Sequence, residues 1–303
     1  MSVIHQPTVR PTGAAWRWLR EQPPSLLFAV ALLIPILAAV LFAPPLIGYS
    51  PFDQDLLARN QGPSAAHLLG TDHLGRDVFV RLLDGGRTTL LVSISATIFA
   101  FVLGVGVGLV AITFGRITES VVFGFLDLVR ALPGTLMALL LIVALGSGLG
   151  PLILALGLSY SPHVAYIARA AYQREISRDY VRAARTFGGG PMHVLWRHIV
   201  PNLLGVLVTQ AAIILPRCIV TESVLSFLGV GSSPDAPTWG RMISDASRTI
   251  QQAPYVLMMP LIALVVLTTC ISIFGDHLRR WLDPVRESAG DNITPLPARE
   301  VQP

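Results

Sequence analysis

The sequence predicts an all-α polytopic membrane protein, and three observations carry that prediction. Of the 303 residues, 52% are hydrophobic and only 13% are charged, with a mean hydropathy of +0.62; soluble domains carry about 25% charged residues. The charges leave uncharged gaps long enough for helices of about 20 residues, the length that crosses the hydrocarbon core. The 22 cationic residues, all of them arginine, gather on alternate sides of those gaps. The net charge of +4 is therefore read as topology and not as nucleic-acid binding, because the arginines sit between apolar blocks. Lipid is the expected surrounding, and no nucleic-acid partner is expected.

The spans follow in order. Nothing is charged between Glu21 and Asp53, and residues 26–47 form the first span. It starts after a 25-residue leader and is too long for a cleaved signal segment, so it reads as a retained anchor. The gap between Arg87 and Arg116 holds the second span, Thr89 to Phe114. No charge occurs from Ala131 to Ala168, a stretch too long for one helix and broken by Gly146, Gly148, Gly150 and Pro151. It reads as a hairpin of two spans, 121–145 and 149–168. A fifth span covers 202–220 and a sixth 255–275, six in all.

Arginine counts orient them. With the N-terminus inside, the inner segments hold fourteen arginines and the outer segments six, while Arg130 and Arg217 fall within spans. Both termini are expected in the cytoplasm.

Three hydrophilic segments exceed what a connection between helices needs: 48–87 outside, 169–201 inside and 229–253 outside. The inner one contains Asp179-Tyr-Val-Arg-Ala-Ala-Arg-Thr-Phe-Gly188. Asp179 suits the cap of a helix beginning at Tyr180. Helical spacing then puts Tyr180, Ala183, Ala184 and Phe187 near one face and Arg178, Arg182 and Arg185 on another. Gly188 to Gly190 end that helix, and Pro191 suits the first turn of a second short helix, 192–198. Pro201 and Asn202 then lead into span five. Two readings stand on physics alone: a small-residue face that inserts into a partner's groove, or a basic amphipathic segment lying on the membrane.

The ionisable residues within spans face the bundle interior by default, since a charge at the bilayer centre costs about 2.5–3.5 kcal/mol on insertion scales. Asp127 and Arg130 are three apart and suit an ion pair on one helix face, or, like Arg217 and Glu222, a place on a polar path or at an interface with another chain. Arg217 and Glu222 suit either a polar path through the bundle or an interface with another chain. His163 follows Pro162 and reads as a packed histidine before a proton relay. Gly104 and Gly108 permit close helix packing. Trp239 suits a contact with an external protein, a plug of the path or an interfacial anchor. Cys218 and Cys270 lie in apolar segments without metal-ligand spacing, so no metal site is expected. Asn292-Ile-Thr294 matches a glycosylation sequon without meaning on a cytoplasmic tail.

The inner segment, with His198-Ile-Val-Pro-Asn202 after it, resembles the EAA motif of ABC importer permeases. Ala183, Ala184, Gly188 and Val200-Pro201 occupy the family's spacing; Arg182 stands where the family has glutamate, and His198 where isoleucine is usual. The resemblance implies a coupling helix, built on Asp179, Tyr180, Arg182, Ala183, Ala184, Phe187, Gly188, Pro191 and Pro201, that docks on a separate ATPase. Gly70-Thr-Asp-His-Leu-Gly-Arg-Asp77, Glu222-Ser-Val-Leu-Ser-Phe-Leu-Gly-Val-Gly231, Pro237-Thr-Trp-Gly240 and Leu282-Asp-Pro284 resemble the dipeptide/oligopeptide/nickel branch. The placement of Gly70–Asp77 before span two resembles the C-type member of the two permeases.

The resemblance, covering about residues 25 to 287, implies a type I ABC importer transmembrane-domain (MetI-like) fold over 88–275. An additional N-terminal helix precedes it, and a cytoplasmic tail, 276–303, follows. It implies a bacterial inner-membrane location and four kinds of partner: a second, B-type permease, two ATP-binding subunits, an external substrate-binding protein and a peptide substrate. Asp72, Arg76, Asp77 and Trp239 are the expected contacts of the binding protein. The chain has no GxxxxGK[ST] phosphate loop. It is thus expected to be no enzyme and to hold no cofactor, with ATP and Mg bound by the partners. Dipeptides, longer peptides, glutathione-like peptides and nickel chelates remain open as cargo. The rivals are an ATP-independent secondary transporter, which lacks support from any clear internal repeat, and an intramembrane hydrolase, for which no GxSxG, HExxH or paired intramembrane aspartates speak.

Overall fold

The computed structural model describes residues 22–42, 50–231 and 236–282. Residues 1–21 of the leader, the end of the first expected span, Asp283, Pro284, the rest of the tail and the sequon lie outside the described residues. Secondary structure among them is helical, apart from one isolated antiparallel bridge between Thr71 and Asp77.

The first helix, α1, spans Pro24–Phe42. α2 spans Val78–Thr113, α3 Arg116–Arg130, α4 Gly134–Leu145 and α5 Leu149–Glu175. A short helix, α6, covers Asp179–Thr186. α7 runs from Pro191 to Phe227, α8 covers Trp239–Ser247 and α9 Pro254–Leu282. Five of these are long and apolar enough to cross a membrane; α3 and α4 pass the same test only when taken together, across a bend of 91°.

That bend corrects the expectation of one straight span over 121–145. Pro133 supplies no amide hydrogen and forces Leu132 away from helical angles. The chain turns there and restarts at Gly134. The second correction concerns α2. It begins eleven residues before the expected Thr89, because Asp77 caps it by accepting a hydrogen bond from Val80 N at 3.0 Å. At 1.5 Å per residue its 36 residues extend over about 54 Å, well beyond a hydrocarbon core of about 30 Å. Its first three turns, with Arg81, Asp84 and Arg87, therefore stand outside the apolar layer.

Packing between α2 and α5 depends on small residues. A Cβ on Gly104 would come within 2.5 Å of Ser161 O, and one on Gly108 within 3.0 Å of Ala165 O. From the other side, a Cβ on Gly157 would collide with the Phe99 ring. Backbones approach this closely only where side chains vanish, which is how helices associate when no water is there to drive them together. Around this axis Val92, Ala96, Ala138, Ile142, Leu152, Leu156 and Leu225 join α2, α4, α5 and α7. α1 lies against the outer cluster of Val40, Val78, Leu83, Trp239, Met242 and Leu267. Cys218 and Cys270 are buried free thiols.

Candidate functional site

The outer segment is a structural knot. Asp72 accepts hydrogen bonds from Leu74 N at 2.8 Å and Arg76 N at 3.0 Å, and its other oxygen pairs with Arg76 Nε at 2.7 Å. Arg81 Nε lies 3.7 Å from the same oxygen, and Arg76 Nη2 reaches Asp245 of α8 at 3.5 Å. Asp77 caps α2 with one oxygen and meets His67 Nδ1 at 2.8 Å with the other. Gly75 turns the loop at φ +75°, and a Cβ there would strike the Asp55 carbonyl. Asp72, Arg76 and Asp77 are thus buried and pair inward, which corrects their expected role as external contacts. Burial of charge requires such partners.

Trp239 is corrected for the same reason. It is 1% exposed, sits in the outer cluster and donates its indole hydrogen to Leu82 O at 2.8 Å. Thr238 caps α8 by accepting from Arg241 N, and a Cβ on Gly240 would collide with the Ser223 carbonyl. The Pro237–Gly240 segment locks α8 against α2 and α7; it neither plugs a path nor anchors at an interface.

At the other end stands α6. Its N-cap is Arg178, and Asp179 occupies the first helical position with no side-chain cap bond. Asp179 therefore does not cap the helix; it adds negative charge beside the positive end of the helix dipole. The C-terminus closes as a Schellman turn: Gly189 N bonds Ala184 O at 3.1 Å and Gly188 N bonds Arg185 O at 3.0 Å, with Gly188 at φ +85°. Val181 faces inward and packs with Tyr172, Val194, Leu195, Ile199 and Leu203. Tyr180 and Ala183 are exposed, and Phe187 is 90% exposed. Ala184 departs from the expected face and packs against the inner cluster.

Tyr180 holds α6 to its neighbours. Its hydroxyl donates to Glu175 and receives Asn202 Nδ2 at 3.1 Å, and Asn202 also reaches His198 O at 2.6 Å. Burial, then the bond to Glu175, pushes the phenol up to about 12, so it is neutral at physiological pH. The expected break between a second short helix and span five is absent. Pro191–Val194, a π turn at Leu195–Ile199 and Val200–Phe227 join without interruption. Val200 N bonds Leu195 O, five residues back. The wider turn gives room for Pro201, whose ring would otherwise clash with a carbonyl of the preceding turn.

Between α4, α5, α7 and α9 lies a cavity of about 750 Å³. Its lining includes Ser159, Tyr160, Arg217, Thr221, Thr268, Thr269, Ser272 and Asp276. Arg217 is exposed there, whereas Glu222 is 0% exposed and bonds Ser226 Oγ at 2.6 Å. The structure separates these two residues: Glu222 faces neither a path nor a second chain. Asp127 and Arg130 do not pair directly either. Tyr166 stands between them, donating to Asp127 Oδ1 at 2.6 Å while Arg130 lies 4.6 Å over its ring.

Asp276 and the hydroxyls of α9 went unnoticed in the sequence, although Thr268, Ser272 and Asp276 recur every fourth residue along it. That period marks one polar stripe.

The chain is thus a helical body with apolar helices long enough to span a membrane, an open groove that carries Arg217, Asp276 and several hydroxyls, and a short helix closed by a Schellman turn. Residues 91–286 match the family described as binding-protein-dependent transport system inner membrane component, and the chain belongs to it. It is accordingly a multi-pass inner-membrane component. The chain is 36% identical over 289 residues to the dipeptide transport system permease protein DppC of Escherichia coli K12, covering 93% of this chain and 96% of that protein. It is 33% identical over 260 residues to the di/tripeptide transport system permease protein DppC of Pseudomonas aeruginosa, covering 84% and 86%. It is 32% identical over 294 residues to the glutathione transport system permease protein GsiD of Pectobacterium atrosepticum, covering 95% and 96%. Among solved structures, a chain of the MetNI methionine ABC transporter in an inward-facing conformation superposes with a TM-score of 0.56 at 24% identity. The match covers 67% of this chain and 96% of that one. The fold is thus the MetI-like one expected, and α1 precedes the family match.

Proposed function

We propose that this chain is one of two permeases of an ATP-driven importer of short peptides, working with two ATP-binding subunits and an external binding protein. The observation that carries the coupling role is Phe187. An aromatic ring left 90% exposed on a helix whose other face is wedged into the bundle by Val181 is a preformed anchor for a pocket on a partner. Gly188 closes the helix sharply, and the hydrogen-bonded Tyr180–Asn202 contact ties it to α7, so a push on α6 is passed to a spanning helix as a rigid-body motion. Tyr180, Ala183 and Arg182 complete the docking face. ATP and Mg are bound by the partners, since this chain carries no phosphate loop. The peptide cargo is supported by the relatives named for dipeptides, di/tripeptides and glutathione.

The test is uptake of a labelled dipeptide by the transporter assembled with its partners in vesicles. Uptake should require ATP inside and the binding protein outside. Phe187→Ala should weaken capture of the ATP-binding subunits by at least tenfold while leaving the permease's own thermal stability unchanged. Uptake driven by an ion gradient without ATP would overturn the reading.

A further inference from the structure

The cavity holds two opposite charges that no described residue pairs. Arg217 and Asp276 both line it and both are exposed to it, and neither has an ion-pair partner within 4 Å among the described residues. They come from different helices, α7 and α9, both long and apolar enough to cross a membrane. Arg217 falls within the fifth expected span, where an ionisable group is kept if it faces water or a substrate, and Asp276 stands just past the end of the sixth.

The groups around them are polar in one sense. Ser159 donates its hydroxyl hydrogen to Ala155 O at 2.7 Å, Thr268 to Leu264 O at 2.7 Å and Ser272 to Thr268 O at 2.8 Å. Their hydrogens are used within their own helices, so their oxygens remain as acceptors. Tyr160 and Thr221 share one hydrogen bond of 2.9 Å across α5 and α7. The cavity therefore offers a fixed cation, a fixed anion and a run of weak acceptors. Its volume of about 750 Å³ lies within the roughly 300–1,000 Å³ of small-ligand pockets.

We propose that this cavity is a transit subsite for zwitterions, in which Arg217 takes the α-carboxylate of a short peptide and Asp276 its α-ammonium. The guanidinium suits the carboxylate because its planar fork donates two parallel hydrogen bonds. The carboxylate of Asp276 and the hydroxyl oxygens accept from the ammonium, which only donates. The extended backbone of a dipeptide spans about 7 Å between its termini, so groups on two facing helices are the natural pair to hold it. Weak hydroxyl acceptors in place of a second strong ion keep the hold light enough for release.

This inference rests on the peptide reading, and the experiment separates the two. In the assembled transporter, with Cys218→Ala and Cys270→Ala, Thr268→Cys is introduced as a reporter of the cavity and labelled with a water-soluble thiol reagent. Dialanine applied from the cytoplasmic side should slow labelling, and N-acetyl-dialanine amide, which lacks both charges, should not. In Arg217→Gln or Asp276→Asn the concentration of dialanine giving half-protection should rise at least tenfold. Arg217→Lys, which keeps the charge but loses the fork, should fall between the parent and Arg217→Gln and guards against a folding defect. Equal protection by the capped peptide, or unchanged protection in both neutral variants, overturns the subsite. If the unmodified transporter with its binding protein imports no peptide at all, the peptide reading fails instead.

Discussion

Trp239 and Phe187 are both aromatic residues in hydrophilic segments, and only packing tells them apart. Trp239 is buried beside Gly86, where an added Cβ would come within 2.7 Å of the indole. Trp239→Ala removes a large buried side chain and one hydrogen bond, and such a change costs about 3–5 kcal/mol. The detergent-solubilised variant should melt markedly lower in the absence of any partner; an unchanged melting point would return Trp239 to the role of a contact residue. Phe187→Ala should behave oppositely, silent for the isolated permease and damaging to assembly. Asp72 belongs with Trp239. A buried carboxylate serving two backbone amides and two arginines organises the loop that carries it, and its charge is spent within the fold.

Helix ends and helix contacts follow local rules, and these were legible to different degrees. The Schellman turn at Gly188 was announced by the glycine run before Pro191. Its conformation makes a clear prediction, since a residue with a Cβ at φ +85° costs about 1–2 kcal/mol. Space around Gly188 is open, so Gly188→Ala should leave the bundle intact and loosen only the C-terminus of α6. Faster hydrogen exchange at Gly188 and Gly189, whose amides bond Arg185 O and Ala184 O, would report it; unchanged exchange there would refute it. Gly104 is the reverse case, with backbone at 2.5 Å. Gly104→Leu should drive α2 off α5 and abolish stable expression, while Gly106→Leu, at a position with open space, should be tolerated. The π turn and the bend at Pro133 were missed in outline although their prolines were visible. A proline shows that a helix must adjust, but the surrounding packing decides whether it breaks, as before Gly134, or widens by one residue, as before Pro201.

Across the whole molecule α7 links α8, the cavity and α6. Ser223 near its outer end packs on Gly240 of α8, Arg217 lines the cavity, and Asn202 holds α6. The arginine bias predicts both ends of this chain in the cytoplasm. Alkaline phosphatase fused to either terminus should therefore be inactive, and fused within residues 59–69 active; the opposite pattern would invert the topology. By itself the sequence determined that the chain spans a membrane, how many apolar segments it has and which family it resembles, because hydropathy and motif spacing are properties of neighbours along the chain. Only the tertiary structure decided which polar residues are consumed inside the fold and which stay open. Asp72, Trp239 and Glu222 looked as available as Arg217 and Phe187 until distant helices were placed against them. Burial depends on residues far away in sequence, which no local pattern encodes.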